Sequence, residues 1–137
     1  KPSSAGRVLP LVDVRIAAHQ HPSYGGVVVL GLGGSMGSAE VSPPVRILPL
    51  TDVDATSLVA ASAAAPLLGD GPEGEAAAAA LTDLLLRLAD LVEAVPELAE
   101  VVLDPVLVSS GGAAITKAEV RVAPWRWEDD PPGRRLG

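Results

Sequence analysis

The chain contains no cysteine and no phenylalanine, and its 137 residues include only one tyrosine, two tryptophans and one methionine. Without cysteine there is no disulfide framework and no thiol chemistry, which is more typical of a cytoplasmic protein than of a secreted one. Charge or proline interrupts every apolar run well before the ~20 residues of a membrane span. We therefore expect a cytoplasmic protein without a membrane or targeting segment, with a core of aliphatic side chains.

Positive charge is also scarce, because 10 basic residues stand against 17 acidic ones and give a formal net charge of −7. This balance argues against nucleic acid or an anionic membrane as the main partner. Lys1 and Lys117 are the only lysines, so the chain cannot by itself supply several lysines around a triphosphate. The only methionine is Met36. We therefore expect a processed product or a piece of a longer protein.

The length allows one hydrophobic core. The sequence predicts a linker at residues 1–7, a folded domain at 8–123 and a flexible tail at 124–137. Alternating or continuous apolar residues within the domain predict strands at 12–18, 27–30, 45–48, 101–108 and 113–122. With the helices described next, they predict an α+β domain with a mostly antiparallel sheet and two main helices on one face.

Two segments have the pattern of helices. The first is predicted at 52–65, because Thr51 is a good N-cap residue and Pro66 would end the helix. Residues 69–74, GDGPEG, are predicted to form a loop, after which Glu75 opens a long second helix. Leucine and valine recur there at steps of three and four along one stripe, which is typical of a core-facing surface and less often of a partner-binding one.

The last two predicted strands are joined by SSGG, which favours a hairpin. If Ser110 and Gly111 are the two loop residues, the register places Asp104 opposite Lys117. Directly opposed residues have Cβ atoms ~5 Å apart. We therefore expect the two side chains to meet.

The stretch HPSYGGVVVLGLGG, residues 21–34, runs from an apolar strand into Gly31, Gly33 and Gly34. One interpretation is a tight turn that leaves a buried strand. The other is a backbone that passes close to a phosphate and donates N–H bonds to it. The spacing matches neither the G-x-G-x-x-G fingerprint nor a P-loop. The two nearby histidines lack a third metal ligand of known spacing, so surface histidines are the simpler interpretation.

Taken in order, these segments resemble the C-terminal half of the ATP-grasp domain of NDP-forming acyl-CoA synthetases, relatives of the β subunit of succinyl-CoA synthetase. The same module also occurs fused to a GNAT acetyltransferase. The matching pieces span about residues 11–122 and are VDVRIAAHQHPSYGGVVVLGLGG, RILPLTDVDA, AAPLLGDG, LTDLLLRLADLVEAVPELAE and LDPVLV. The resemblance implies the second lobe of an ATP-grasp fold, without the first lobe and its phosphate-binding lysines.

The resemblance also implies a nucleotide site. In this family, two lobes hold ATP and magnesium between antiparallel sheets, and an acyl phosphate forms on the way to the thioester. Gly31, Gly33 and Gly34 match the family's FGxGG run. Asp13 stands where a glutamate is common, and the resemblance places all four residues on the nucleotide side.

The implied metal site is altered. The family's magnesium ligands are an asparagine in a D-x-N-P motif and an aspartate on the following strand, and their places are taken here by Asp104 and Lys117. The motif's aspartate is Val102, and a glutamate common after the glycines falls at Ser38. A protonated lysine has no lone pair for a metal. We expect Asp104 and Lys117 to form an ion pair worth ~0.2 to 1 kcal/mol, and magnesium binding to be weak or absent.

Two functions follow from the resemblance. The first is one lobe of an ATP-dependent acyl-CoA synthetase, inactive without a first lobe or a CoA-binding domain. The second is a non-catalytic regulatory or interaction module that retains the fold and is associated with an acyltransferase. A homodimer is a third possibility, because apolar surface left bare by a missing lobe favours association.

Overall fold

The computed structural model describes residues 11–21 and 23–123. The predicted linker 1–7 and tail 124–137 lie outside the described residues. The elements in chain order are β1 Val12–His21, β2 Gly25–Leu32, a 3-10 helix Gly34–Ala39, β3 Val45–Ile47, α1 Asp52–Ala61, α2 Ala65–Leu68, α3 Gly71–Ala94, β4 Leu98–Ser109, β5 Gly112–Ile115 and β6 Ala118–Val122.

The strands form one sheet in the order β3-β2-β1-β4-β5, and β6 pairs with β4 beyond the end of β5. Every pairing is antiparallel. The predicted hairpin register is confirmed, since Ser109 pairs with Gly112 and Glu100 pairs with Arg121. The predicted strand 113–122 is interrupted, and its two parts are β5 and β6.

The helices pack on one face of this sheet, which confirms the α+β prediction. Helix α3 contacts β1, β2, β4 and β5, and α1 packs against α3. The core contains Ile16 of β1, Leu30 of β2, Leu58 of α1 and Leu85 of α3, all fully buried. The leucine stripe of α3 is therefore core, although Leu91 near its end is 48% exposed. None of the helices within the described residues is long and apolar enough to cross a membrane.

Two predicted helix boundaries are wrong. Helix α1 ends at Ala61 instead of continuing to Pro66, because the buried Ser62 leaves the helix and its hydroxyl donates to the Val59 carbonyl at 2.7 Å. Pro66 lies in the first turn of α2, where no N–H is needed. Helix α3 likewise includes the GPEG of the predicted loop, since Pro72 occupies its first turn.

Helix α1 begins with the predicted cap. Asp54 N–H donates to Thr51 Oγ1, and Thr51 N–H donates to Asp54 Oδ2, both at 3.1 Å. The hydrogen bond that Thr51 N–H donates to this carboxylate and, to a lesser degree, the Thr51 side chain hold the pKa of Asp54 below its ordinary value. A carboxyl with a lowered pKa stabilises the folded state above its unfolded pKa and loses this effect as pH falls through the folded pKa.

Thr51→Ala is expected to lower the free energy of unfolding by ~0.5 to 2 kcal/mol at neutral pH, because the cap is lost. The largest contribution to the lowered pKa of Asp54, from the Thr51 backbone N–H, remains in the variant, and only the smaller contribution of the Thr51 side chain is lost, so the loss should shrink only in part as pH falls through that pKa. Urea unfolding at neutral and acidic pH measures both effects. Thr56→Ala on the exposed side of α1 is the matched control and should cost nothing, because alanine is the better helix former. A loss no larger than that of Thr56→Ala would contradict the role of Thr51 as the cap of α1.

Candidate functional site

The glycine loop, which we define as residues 31–34, comprises the last two residues of β2, Gly33 and the first residue of the 3-10 helix. Three successive amides of this region donate to acceptors within the chain. Leu32 N–H donates to Glu40 Oε1 at 2.8 Å, Gly33 N–H to the Asp13 carbonyl at 3.0 Å, and Gly34 N–H to Asp104 Oδ1 at 3.0 Å. The loop is therefore attached to β1, to β4 and to the segment after the 3-10 helix.

Close packing explains why the loop needs glycine. A Cβ on Gly33 would lie 2.7 Å from the Val14 carbonyl oxygen and 2.9 Å from Asp104 Oδ1. A Cβ on Gly31 would lie 2.8 Å from Glu40 Oε1. These contacts support the tight-turn interpretation of the glycines. The phosphate-binding role of the glycines stays a prediction, and the three amides have carboxylate or carbonyl acceptors instead of a free anion site.

Asp104 does not pair with Lys117, and that prediction is wrong. The two residues do face each other in the backbone, where Asp104 N–H donates to the Lys117 carbonyl at 3.1 Å. However, Lys117 Nζ lies 3.7 Å from Glu119 Oε2, and Asp104 Oδ2 lies 3.6 Å from Arg15 Nε. Lys117 lies between β5 and β6, outside both strands.

The position of Asp104 on β4 explains its partner. The β1–β4 register shifts between Val14 and Ile16, so that β4 carries an irregularity opposite Arg15. A bulge of this kind re-aims a side chain. Here the Asp104 carboxylate is brought between the Arg15 guanidinium and the glycine loop, and it is 29% exposed.

The site lies on the sheet face opposite the helices, which we call the open face. A cavity of about 340 Å³ is present there. It is lined by Arg15, Val29, Gly31, Leu32, Gly34, Gly37, Glu40, Pro43 and Asp104. Asp13 is near the same loop, since its Oδ2 lies 3.3 Å from the position of a Cβ on Gly34. Three carboxylates and one guanidinium therefore surround the glycine loop.

These residues do not fit a dedicated magnesium site. Such a site needs oxygen ligands with free lone pairs, whereas one Asp104 oxygen accepts a hydrogen bond from Gly34 and the other faces Arg15. No group of three histidine, cysteine, aspartate or glutamate side chains is placed to hold a metal in the part of the chain that the structure describes. Asp104 as a metal ligand stays a prediction that this geometry opposes.

The sequence pattern did not identify Arg15 or Glu40 as site residues. Arg15 was visible as the polar partner of Asp13 on one side of an alternating strand, but its contact depends on the irregularity in β4. Glu40 lies two residues after Ser38, and no periodic pattern in the sequence indicates that it belongs to the site. The two histidines are half-buried near the other end of β1, where His21 Nδ1 accepts a hydrogen bond from Ser23 N–H at 3.0 Å.

Comparison with known proteins assigns the family. A family model described as an ATP-grasp domain matches residues 7–122. The chain belongs to the ATP-grasp family. Its curated relatives include subunit beta of acetate–CoA ligase [ADP-forming] II of Pyrococcus furiosus, which is 30% identical over 113 residues, or 80% of this chain and 48% of that protein. The 4-hydroxybutyrate–CoA ligase [ADP-forming] of Nitrosopumilus maritimus is 29% identical over 112 residues, or 80% of this chain and 16% of that protein.

Solved structures agree with this assignment. PH1788 of Pyrococcus horikoshii has a TM-score of 0.75 and 28% identity, covering 87% of this chain and 52% of that one. The dinucleotide forming acetyl-coenzyme A synthetase 1 of Ca. Korarchaeum cryptofilum, in complex with coenzyme A and Mg-AMPPCP, has a TM-score of 0.72 and 26% identity, covering 84% of this chain and 55% of that one. This ATP-grasp chain is thus similar to NDP-forming acyl-CoA synthetases. It spans about half the length of the Pyrococcus furiosus beta subunits.

Proposed function

We propose that this chain is the second lobe of an ATP-grasp pair in a protein of the NDP-forming acyl-CoA synthetase type, and that it does not catalyse ligation alone. The main observation in support of this proposal is that the two faces of the sheet differ. Helices cover one face, whereas the open face carries the glycine loop and half-exposed side chains such as Arg15 at 43%. A first lobe that closes over the open face would bring the nucleotide beside the glycine loop.

The partners follow from this placement. The chain covers about half of its beta-subunit relatives, and Lys117 is the only lysine among the described residues. Phosphate-binding lysines would therefore come from a first lobe, and the thiol substrate from a CoA-binding domain. A fused GNAT acetyltransferase is a further proposed partner, and the proposed location is the cytoplasm.

A second candidate is a non-catalytic module that retains the ATP-grasp fold. Two observations favour it: the glycine-loop amides are bonded within the chain, and Arg15 stands beside the carboxylate where a metal ligand is expected. An open face without a first lobe would also favour a homodimer, because Val45 and Ile47 on the edge strand β3 are 47% and 51% exposed. Sedimentation at several concentrations tests for the dimer.

Nucleotide-dependent melting distinguishes the two candidates. ATP with magnesium is added at millimolar concentrations, and adenosine serves as the control that lacks phosphates. A ligand at ten times its dissociation constant raises the free energy of unfolding by ~1.4 kcal/mol. A rise in Tm with ATP and not with adenosine supports the enzyme lobe. An unchanged Tm with both, in the chain alone and in a mixture with the first lobe of a beta-subunit relative, favours the non-catalytic module.

A further inference from the structure

Arg15 forms an ion pair with Asp104 that the sequence pattern did not predict. Its Nε lies 3.6 Å from Asp104 Oδ2, while the other oxygen of the same carboxylate accepts the Gly34 amide at 3.0 Å. Asp13 is also near Gly34, since its Oδ2 lies 3.3 Å from the position of a Cβ on that residue. The carboxylates of Asp13 on β1 and Asp104 on β4 thus both lie near Gly34. Among the described residues, Arg15 provides the positive charge beside them.

Such a pair of carboxylates would ordinarily attract a divalent ion, since magnesium sites often contain one or two carboxylates together with water and phosphate oxygens. A fixed positive charge a few ångströms away opposes this binding, because like charges at that distance repel even at the high effective dielectric of a protein surface. Asp104 is only 29% exposed and Arg15 is 43% exposed, so solvent screens their interaction incompletely.

We propose that Arg15 is the resident cation of this site. It neutralises Asp104 in place of a divalent ion, and Asp104 in turn serves as a positioning residue that holds the glycine loop through Gly34. The lobe therefore presents its open face without a metal of its own, and any magnesium that accompanies a nucleotide has to be held by the nucleotide or by the other lobe. This inference rests on the proposed function for the location of the nucleotide.

The test measures Mn²⁺ binding to the 137-residue chain without nucleotide. Mn²⁺ broadens NMR signals of amides near its binding site, so the Gly33 and Gly34 amides report on this loop. The chain itself should show weak and unlocalised broadening. In Arg15→Leu, Asp13 and Asp104 lose the neighbouring charge, and the Mn²⁺ dissociation constant at the loop should fall about tenfold or more.

Matched variants show which residues account for any increase in Mn²⁺ affinity. Arg121→Leu removes a guanidinium from β6, where its Nε lies 3.7 Å from Glu100 Oε1, and should leave binding at the glycine loop unchanged. The double variant with Arg15→Leu and Asp104→Ala should not show the increase in Mn²⁺ affinity. Arg15→Gln retains hydrogen-bond donors near Asp104 without the charge. It replaces Arg15→Leu if circular dichroism shows that the latter is unfolded, and the same gain is expected.

Three results would overturn the inference: strong Mn²⁺ binding at the glycine loop of the unsubstituted chain, no gain in a folded Arg15 variant, or an equal gain in Arg121→Leu. Since nucleotide is absent from this titration, such a failure leaves the proposed ATP-grasp function standing. An unchanged Tm with ATP in the presence of a first lobe, by contrast, would contradict the enzyme lobe without altering the role of Arg15.

Discussion

Leu85→Ala is expected to lower the free energy of unfolding by ~2 to 5 kcal/mol, because it removes a fully buried side chain from the interface between α3 and the sheet. Leu85 belongs to the same core cluster as Ile16 and Leu30 on the helix-covered face. This chain has no phenylalanine to fill a cavity, and aliphatic neighbours fixed on strands relax only in part. The loss should therefore include a cavity term as well as the lost transfer of apolar surface from water.

Urea unfolding followed by circular dichroism measures this loss. Leu91→Ala is the matched control, since Leu91 lies on the same helix and is 48% exposed. The control should cost about 1 kcal/mol or less, as is usual for substitutions away from the core. Equal losses at the two positions would contradict the burial of Leu85 between α3 and the sheet.

Gly33→Ala is the second substitution with a large expected effect, and we expect it to cost ~1 to 3 kcal/mol because the new methyl group overfills a packed space. The methyl group would meet the Val14 carbonyl oxygen at 2.7 Å and Asp104 Oδ1 at 2.9 Å. The backbone carbonyl belongs to the central strand β1 and cannot move freely. The loop should shift away, which would lengthen the hydrogen bond from Gly34 N–H to Asp104.

Two measurements separate the stability loss from the change in the loop. Urea unfolding gives the free energy, and the NMR signal of the Gly34 amide reports on its hydrogen bond. Gly111→Ala in the β4–β5 turn is the control, because the nearest atom to its added Cβ is Ser109 Oγ at 3.6 Å, an ordinary contact. It should change stability by less than about 1 kcal/mol. A Gly33→Ala chain with unchanged stability would contradict the close packing of the loop.

The prediction of the fold succeeded where one periodic signal decided the structure. The spacing of leucines in α3 and the alternation in β1 each identify a buried side, and the SSGG turn fixes the hairpin register. Boundaries failed where two local signals compete. Pro66 was interpreted as the end of a helix and Pro72 as part of a loop, yet proline is also well placed in a first helical turn. Only the packing of Ser62 and the following residues determines which role applies.

The candidate site was predicted less well than the fold. Of its backbone members, Gly33 and Gly34 lie close to Asp13 and Asp104, and the binding roles that the resemblance implied stay predictions. Its side-chain contacts were not predicted, because the choice between Arg15 and Lys117 as partner of Asp104 depends on an irregularity in the β1–β4 ladder. A register argument treats β4 as regular and therefore assigns the cross-strand neighbour.

By itself, the sequence determined the class of the fold, the helix-facing side of its sheet and the position of the glycine loop, because these depend on local periodicity and on residues without side chains. The tertiary structure alone decided which charges meet at that loop. Arg15, Glu40 and Asp104 come from three separate segments, and no spacing along the chain encodes contacts that arise only when a bulged strand turns one carboxylate toward its neighbours.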